Sequence, residues 1–235
     1  MFIFSRKTIH TFPGKNLSGN TILFTIFVSL ALTFFSPAAH SASKTILVLG
    51  DSLSAEYGIA RGTGWVALLE KRLQQESRNL SERVTVVNAS ISGETSSGGK
   101  TRLSALLSKH HPAIVIIELG ANDALRGLAL KASENNFRDM IQLSTQANAK
   151  VLLIGMRIPP NYGRNYTEQF FTMYARVAKD THTALLPFFL EGLADKPELF
   201  QPDRLHLLAA AHPMILNNVW PYLHRLMTIP NKKTS

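Results

Sequence analysis

Five short apolar runs, rich in β-branched residues, constrain the fold of this chain more than any other feature of its sequence. They occupy residues 45–50, 84–89, 113–120, 150–156 and 183–188. Runs that are apolar at consecutive positions are typical of strands buried on both faces of a sheet. Segments with the apolar spacing of amphipathic helices separate and follow them, at 64–75, 101–110, 133–148, 167–181 and about 207–227. This alternation predicts a single α/β domain with right-handed crossovers, in which helices cover a parallel sheet on both sides.

Polar and glycine-containing segments follow these runs, at the ends where parallel strands finish. Asp51-Ser52 follows the first run, and PDRLHLL stands near the C-terminus. The second, third and fourth runs are followed by SISGETSSGG, GAND and RIPPNYGRNY. In open parallel sheets, ligands bind outside the carboxyl ends of the strands. We therefore expect a functional site at this edge of the predicted sheet.

The N-terminus has the three-part pattern of a secretory signal peptide. Basic residues in a polar lead precede an uncharged apolar stretch at 21–35, and the small-residue segment SPAAHSAS follows. The apolar stretch is shorter than the ~20 residues that a membrane-spanning helix needs. We predict that residues 1–42 are a signal peptide cleaved near Ser41 or Ala42, and that residues 43–235 form a periplasmic or secreted domain. A retained membrane anchor is the alternative.

The composition excludes several classes of function. The chain has no cysteine, so disulfides, thiolate metal sites and a cysteine nucleophile are excluded. The formal net charge is +9, but the Lys and Arg residues are scattered and form no dense run interleaved with aromatic residues. A nucleic-acid partner is therefore not expected.

Ser52 stands where a nucleophile would lie in such a sheet, directly after the first strand. A serine hydroxyl needs a base to accept its proton, usually a histidine that a carboxylate orients. Among the eight histidines, His206 has Asp203 three residues before it, in a loop that enters a helix. This spacing lets one short turn carry both the base and the carboxylate. Taken alone, the pair also fits an N-cap aspartate and a surface histidine in a first helical turn.

Acyl transfer also requires N–H donors where negative charge develops on the substrate oxygen. The backbone N–H of Ser52 is one candidate. Gly93 offers a second backbone N–H that a ligand can approach closely, and Asn122 offers a side-chain amide. Each of these residues also fits a plain turn or cap. Together they fall at the same predicted sheet edge, which favours acyl transfer.

Four sequence blocks, in this order, resemble those of the SGNH, or GDSL, hydrolases. They are GDSLS (50–54), NASISGETS (88–96), ELGANDALRG (118–127) and the late D-x-x-H at 203–206. The segments VVNASISGETS, RIPPNYGRNY and LLPFF resemble one branch of that family, the periplasmic thioesterase I, lysophospholipase and arylesterase enzymes. The resemblance covers about residues 44–226.

The resemblance implies a flavodoxin-like three-layer α/β/α sandwich with a five-stranded parallel sheet. It implies Ser52 as the nucleophile, His206 as general base and then general acid, and Asp203 as the partner of His206. It also implies an oxyanion hole formed by the Ser52 N–H, Gly93 and Asn122. The reaction implied is hydrolysis of acyl esters and thioesters, without a metal or cofactor.

The resemblance also bears on the substrate and the partners. Tyr162 lies in a segment that matches a substrate-binding loop of that branch, although a packed loop aromatic is the alternative. The expected partner is a small-molecule or lipid acyl ester, with transient contact to membrane lipid. Nothing in the sequence suggests more than a monomer.

Three positions depart from the pattern of that branch. Glu56 and Arg204 stand where glycine is usual, and Leu207-Leu208 replaces the usual Pro-Asn after the histidine. An arginine is strained at position 204 if the backbone there has a positive φ. These changes bear on turnover and substrate preference more than on reaction type.

Other functions fit parts of the sequence less well. The segment GETSSGGKT (93–101) resembles a phosphate-binding P-loop, but its first glycine is one position away from where that motif needs it. Ser97-x-x-Lys100 matches the S-x-x-K of penicillin-recognising enzymes, whose companion motifs are absent from the sequence. A carbohydrate O-deacetylase, or a non-enzymatic acyl- or lipid-binding protein, fits the same fold.

Overall fold

The computed structural model describes residue 14, residues 44–77 and residues 83–228. The predicted signal peptide and its cleavage site lie outside the described residues, apart from Gly14. The export of the chain and the boundary at residue 43 therefore remain predictions.

All five predicted strands form, and they make one parallel sheet in the order β2-β1-β3-β4-β5. This is the flavodoxin-like strand order, in which the chain reverses its direction of winding between β1 and β3. The structure thus confirms the predicted fold class. The strands are β1 (Lys44–Gly50), β2 (Val84–Asn88), β3 (Ile114–Glu118), β4 (Lys150–Ile154) and β5 (Ala184–Leu186).

Six α-helices connect or follow these strands in the described part of the chain. They form two layers: α1 packs against α6 beside one face of the sheet, and α4 packs between α2 and α5 beside the other. Their apolar faces and the two-sided burial of β3 form a single core. The helices are α1 (Trp65–Ser77), α2 (Ser96–His110), α3 (Ala121–Leu125), α4 (Leu130–Gln146), α5 (Arg164–Thr181) and α6 (His212–Thr228).

Three differences from the predicted helices are larger than the shifts of up to three residues at the ends of the others. Helix α2 begins at Ser96, five residues earlier than expected, because Thr95 caps it by accepting a hydrogen bond from Gly98 N. The short helix α3 was not predicted, since five residues are too few to show a periodic pattern. Helix α6 begins later than expected, because residues 209–211 form a separate 3-10 turn.

The loops that follow the five strands gather at one end of the sheet, here called the carboxyl edge. They comprise residues 51–64, 89–95, 119–129, 155–163 and 187–211. The longest of them is held by an antiparallel bridge between Phe200 and Leu207, and Gln201 N donates to His206 O across 2.7 Å. This bridge fixes the ends of the turn at 203–206. No helix among the described residues has the length and apolar content to cross a membrane.

Candidate active site

Ser52 lies in the tight turn that leaves the C-terminal end of β1. The carbonyl of Asp51 accepts hydrogen bonds from Ser54 N and Ala55 N, which curls the chain directly after the strand. The Asp51 side chain also accepts from Leu53 N at 3.0 Å. The turn therefore presents the half-buried Ser52 hydroxyl at the carboxyl edge.

Ser52, His206 and Asp203 form a continuous chain of contacts. The Ser52 Oγ lies 2.8 Å from His206 Nε2, and His206 Nδ1 lies 2.7 Å from Asp203 Oδ2. The serine and the histidine are 154 residues apart in sequence. With the Nδ1 proton donated to Asp203, the Nε2 atom is free to accept the proton of the serine hydroxyl.

The Asp203 carboxylate orders its own turn as well as facing the histidine. Its Oδ1 accepts from Leu205 N at 2.9 Å and from His206 N at 3.0 Å. These backbone hydrogen bonds, followed by that from the His206 ring, lower the pKa of Asp203 from 3.8 to about 2. Asp203, whose side chain is 40% exposed, is therefore ionised at neutral pH.

Arg204 adopts a left-handed backbone conformation, with φ of 58°. The arginine is therefore strained, because a non-glycine residue in this backbone conformation costs roughly 1–2 kcal/mol of folding free energy. The turn retains its shape because the Asp203 hydrogen bonds and the Phe200–Leu207 bridge hold it on both sides. Leu207 fills the position after the histidine as a buried residue, and Leu208 is exposed.

Two backbone N–H groups at the site have no acceptor among the described residues, those of Ser52 and Gly93. Gly93 has φ of 78°, a conformation that favours glycine. A Cβ there would find open space except for the Arg126 guanidinium, 3.5 Å away. Arg126 holds this segment in place, since its Nη2 donates to Gly93 O at 2.9 Å.

The Asn122 amide stands at the start of α3, beside the nucleophile turn. Its Nδ2 donates to Asp51 Oδ2 at 3.0 Å and to Glu94 O at 3.1 Å. Both N–H bonds of this amide are thus engaged within the protein. A substrate oxyanion would have to replace the Glu94 carbonyl or share a proton with it.

Two carboxyl groups are buried behind these residues, and the sequence reasoning did not single them out. Glu118 Oε2 accepts from Asp51 N at 3.3 Å and from the Ser54 hydroxyl at 2.6 Å, and the Trp65 indole N–H donates to the same hydroxyl. Burial raises the pKa of Asp51 from 3.8 to about 6. Burial, with the nearby Asp51 charge, raises the pKa of Glu118 well above its usual range. The sequence does carry one sign of Glu118, because a charged residue that ends an apolar strand indicates a buried polar group at the edge of the sheet.

Tyr57 contacts the His206 ring, whereas Tyr162 does not. The Tyr57 ring lies 4.3 Å from the His206 ring, centroid to centroid, and covers one face of the imidazole. Tyr162 lies on the 155–163 loop and is 39% exposed. In the described part of the chain, Tyr162 makes no hydrogen bond or ring contact with Ser52, His206 or Asp203, so its substrate-binding role remains a prediction.

Glu56, the other departure from glycine, is also in the left-handed region, with φ of 59°. Its carboxylate does not face the nucleophile. Its Oε1 accepts from Gly62 N at 2.9 Å and from Gly64 N at 2.8 Å, and so it organises the loop that enters α1. The side chain thus offsets the backbone strain with two charge-assisted hydrogen bonds.

The defining residues of the rival motifs, Ser97 and residues 99–101, lie within α2. Residues 99–101 are helical, and Lys100 Nζ pairs with Asp139 at 2.7 Å. A phosphate-binding loop needs a free lysine in a loop, whereas Lys100 is helical and paired with a carboxylate. Ser97 is at the exposed start of the same helix, outside the contacts of Ser52.

Comparisons with known proteins identify the family of this chain. Residues 48–213 match the model of the GDSL-like Lipase/Acylhydrolase family. The chain is 48% identical to Esterase TesA of Pseudomonas aeruginosa over 198 residues, which are 84% of this chain and 96% of that protein. It is 43% identical to Thioesterase 1/protease 1/lysophospholipase L1 of Escherichia coli strain K12, over 80% of this chain and 86% of that protein.

A solved structure supports the same relationship. The crystal structure of TesA superposes with a TM-score of 0.74 at 50% sequence identity, and covers 78% of this chain and 99% of that one. The family match, these identities and the shared three-layer fold show that the chain belongs to the GDSL-like lipase/acylhydrolase family, whose members are serine hydrolases of ester bonds.

Proposed function

We propose that this ester hydrolase cleaves acyl esters and thioesters with Ser52 as nucleophile, His206 as base and Asp203 as the carboxylate that orients His206. The observation that carries the proposal is the unbroken path from Ser52 Oγ to His206 Nε2, at 2.8 Å, and from His206 Nδ1 to Asp203 Oδ2, at 2.7 Å. These are the separations that proton transfer requires.

In the first half-reaction, Ser52 Oγ attacks the carbonyl carbon while its proton passes to His206 Nε2. The imidazolium that forms is stabilised by the ionised Asp203. The tetrahedral intermediate collapses, the bond to the leaving oxygen or sulfur breaks, and His206 returns the proton to that atom. The product is an acyl-serine and a free alcohol or thiol.

The oxyanion of the intermediate would bind between the N–H groups of Ser52 and Gly93, whose protons have no acceptor among the described residues. Asn122 would supply the third donor by turning one proton from Glu94 O toward the substrate, while Asp51 retains the other. In the second half-reaction, water gives its proton to His206 and attacks the acyl carbon, and Ser52 leaves with a proton from His206.

The substrate class follows from the relatives rather than from a cavity. The names of the two relatives include esterase, thioesterase, protease and lysophospholipase, and ester and thioester hydrolysis releases an alcohol or a thiol. The proposal includes acyl-chain substrates, with Tyr162 in the binding loop and the mature enzyme exported as a monomer after cleavage near residue 42.

A fluorophosphonate probe tests the nucleophile directly. The purified enzyme should be labelled once, on the peptide that contains Ser52, and mass spectrometry of the digest should locate the label. Ser52→Ala should be unlabelled and inactive while remaining folded by circular dichroism. A label on another serine, or an active Ser52→Ala protein, would contradict the assignment.

A panel of p-nitrophenyl esters from short to long acyl chains, with an acyl-CoA and an acetylated sugar, tests the substrate class. We expect the straight-chain esters and the thioester to be cleaved with higher kcat/KM than the acetylated sugar. The reverse preference would favour a carbohydrate deacetylase on the same fold.

A further inference from the structure

In the described part of the chain, the large exposed hydrophobic side chains are concentrated in the loops of the carboxyl edge, which also carry Ser52. Seven such residues occur in the described part of the chain, and six of them lie in the loops of the carboxyl edge. All five edge loops contribute at least one. The six are Tyr57, Ile91, Leu128, Tyr162, Leu205 and Leu208.

Exposed apolar side chains scattered over a surface need no explanation, but a group on one face marks an interaction site. The seventh residue, Tyr222, lies on α6 and provides a comparison. It is 37% exposed, and Leu208 at the carboxyl edge is 39% exposed. The edge thus differs from the rest of the molecule in the number of such residues, rather than in the exposure of each.

Exposed arginines accompany these apolar residues. None of them forms an ion pair with a described carboxylate. Other arginines, on the helices, do form such pairs: Arg72, Arg102, Arg138 and Arg176. The exposed arginines of the carboxyl edge and the first residue of α5 are Arg61, Arg126, Arg157, Arg164 and Arg204.

Arg204 adds an independent observation. It holds a left-handed backbone conformation, with φ of 58°, and its side chain is exposed without an ion-pair partner among the described residues. Strain of this kind persists where surrounding contacts enforce it and is concentrated at functional positions. Arg204 thus carries an unpaired positive charge on the turn that holds His206.

Three carboxylates of the same edge already have partners within the protein. Asp203 faces His206, Glu56 is bound to backbone N–H groups, and Glu94 pairs with Arg102. The remaining exposed carboxylates of the edge loops fall in one segment, residues 191–198. The arginines are therefore not neutralised by contacts of their own, and they favour an anionic partner.

We propose that the carboxyl edge docks on an anionic lipid surface, with its apolar side chains in the acyl boundary and its arginines among the lipid phosphates. Long basic side chains with apolar stems, together with tyrosines, suit this boundary because one end of each is apolar and the other polar. Docking in this orientation turns the Ser52 hydroxyl toward the lipid phase. An amphiphilic ester could then enter the site without crossing water, a consequence that rests on the proposed function.

Vesicle sedimentation with the Ser52→Ala protein tests the docking apart from catalysis. Binding to vesicles of phosphatidylglycerol and phosphatidylcholine should exceed binding to phosphatidylcholine alone by about 25-fold or more, and should weaken as salt rises. Equal binding to both compositions would overturn the proposal. Millimolar inorganic phosphate should not displace the protein, and displacement at that concentration would indicate a small-anion site instead.

Matched arginine variants separate this face from the net charge of the protein. The double variant Arg61→Gln/Arg164→Gln should bind anionic vesicles about 25-fold more weakly, at about fivefold per arginine. Arg83 and Arg225 are exposed, lack an ion pair with any described residue and lie near the opposite edge, where Lys150 at the start of β4 contacts Leu226 O. Arg83→Gln/Arg225→Gln should bind nearly as the parent does, and an equal loss in both variants would refute a specific face.

A matched pair of variants, Leu208→Ser and Tyr222→Ser, tests the contribution of the apolar side chains to vesicle binding. Leu208→Ser should weaken vesicle binding by roughly fivefold or more, because it removes an apolar side chain that would enter the lipid. Tyr222→Ser, on α6, should leave binding unchanged. Both variants should be made in the Ser52→Ala protein and their thermal unfolding compared with the parent. A loss with Tyr222→Ser that matches Leu208→Ser would place the contact elsewhere.

Discussion

Asp51 Oδ2 accepts a hydrogen bond from Asn122 Nδ2 across 3.0 Å, so the carboxylate next to the nucleophile holds a predicted oxyanion donor. The other oxygen of Asp51 accepts from Leu53 N in the nucleophile turn. One buried side chain thus couples the two parts of the site that must act on the same carbonyl group.

This relationship predicts an order of effects on turnover. Asn122→Ala should lower kcat by roughly 10²- to 10³-fold, because it removes a donor to the developing oxyanion. Asp51→Asn should lower kcat less, by about tenfold, because Asn122 remains but loses a charged anchor. The measurement is kcat on a soluble p-nitrophenyl ester.

The double variant Asp51→Asn/Asn122→Ala tests whether the two residues act together. If Asp51 acts through Asn122, then Asp51→Asn should have little further effect once Asn122 is alanine, and the two losses should not add. Fully additive losses would show that Asp51 acts independently of the amide.

The role of Asp203 can be tested without losing its turn. Asp203→Asn keeps an oxygen that can accept from Leu205 N and His206 N but removes the negative charge beside the imidazole. We expect kcat to fall by about 10⁴-fold, as in other enzymes where the orienting carboxylate becomes an amide. Unchanged thermal unfolding with normal turnover would remove Asp203 from the mechanism.

The raised pKa of Asp51 predicts how stability depends on pH. The folded protein holds the Asp51 proton up to about pH 6, whereas the unfolded chain releases it near 3.8. Between these values the folded state binds more protons on this group, so its contribution to stability falls as pH rises. Asp51→Asn abolishes that contribution.

Urea denaturation at about pH 4 and pH 7 measures the effect. The free energy of unfolding of Asp51→Asn, relative to that of the parent, should be larger at about pH 7 than at about pH 4. The cost of the altered hydrogen bonds is the same at both pH values and does not affect this comparison. A difference that is independent of pH would mean that Asp51 titrates alike in both states.

Glu56 and Arg204 are two of five non-glycine residues with positive φ in the described part of the chain, and they predict stability changes of opposite sign. Arg204→Gly should stabilise the fold by about 0.5–1 kcal/mol, since relief of roughly 1–2 kcal/mol of strain exceeds the entropy cost of glycine. Glu56→Gly relieves the same strain but leaves two N–H groups, of Gly62 and Gly64, without their acceptor. We expect it to destabilise by about 1 kcal/mol or more.

Thermal and urea unfolding of both variants, with Glu56→Gln as the control that retains an acceptor, measures this contrast. Stabilisation by Glu56→Gly would mean that its carboxylate contributes less than the strain costs. Destabilisation by Arg204→Gly would mean that the arginine side chain makes a favourable contribution that its exposed position does not suggest.

The sequence by itself determined the sheet and the edge at which the site lies. Apolar runs buried on both faces can only be satisfied between two helical layers, and parallel strands bring their carboxyl ends together, so the loops with Ser52, Gly93, Asn122 and His206 had to share one edge. Local spacing also indicated that one turn carries Asp203 and His206, but the pair by itself fitted an N-cap equally well.

Only the tertiary structure decided the rest. The approach of Ser52 to His206 depends on how a long loop closes over the sheet, and the Phe200–Leu207 bridge that fixes it has no local signature. The pairing of Asp51 with Glu118 and Asn122 depends on strand register, and pKa values depend on burial, which a sequence does not display. Such properties arise from distances between residues far apart along the chain, and those distances exist only once the chain has packed.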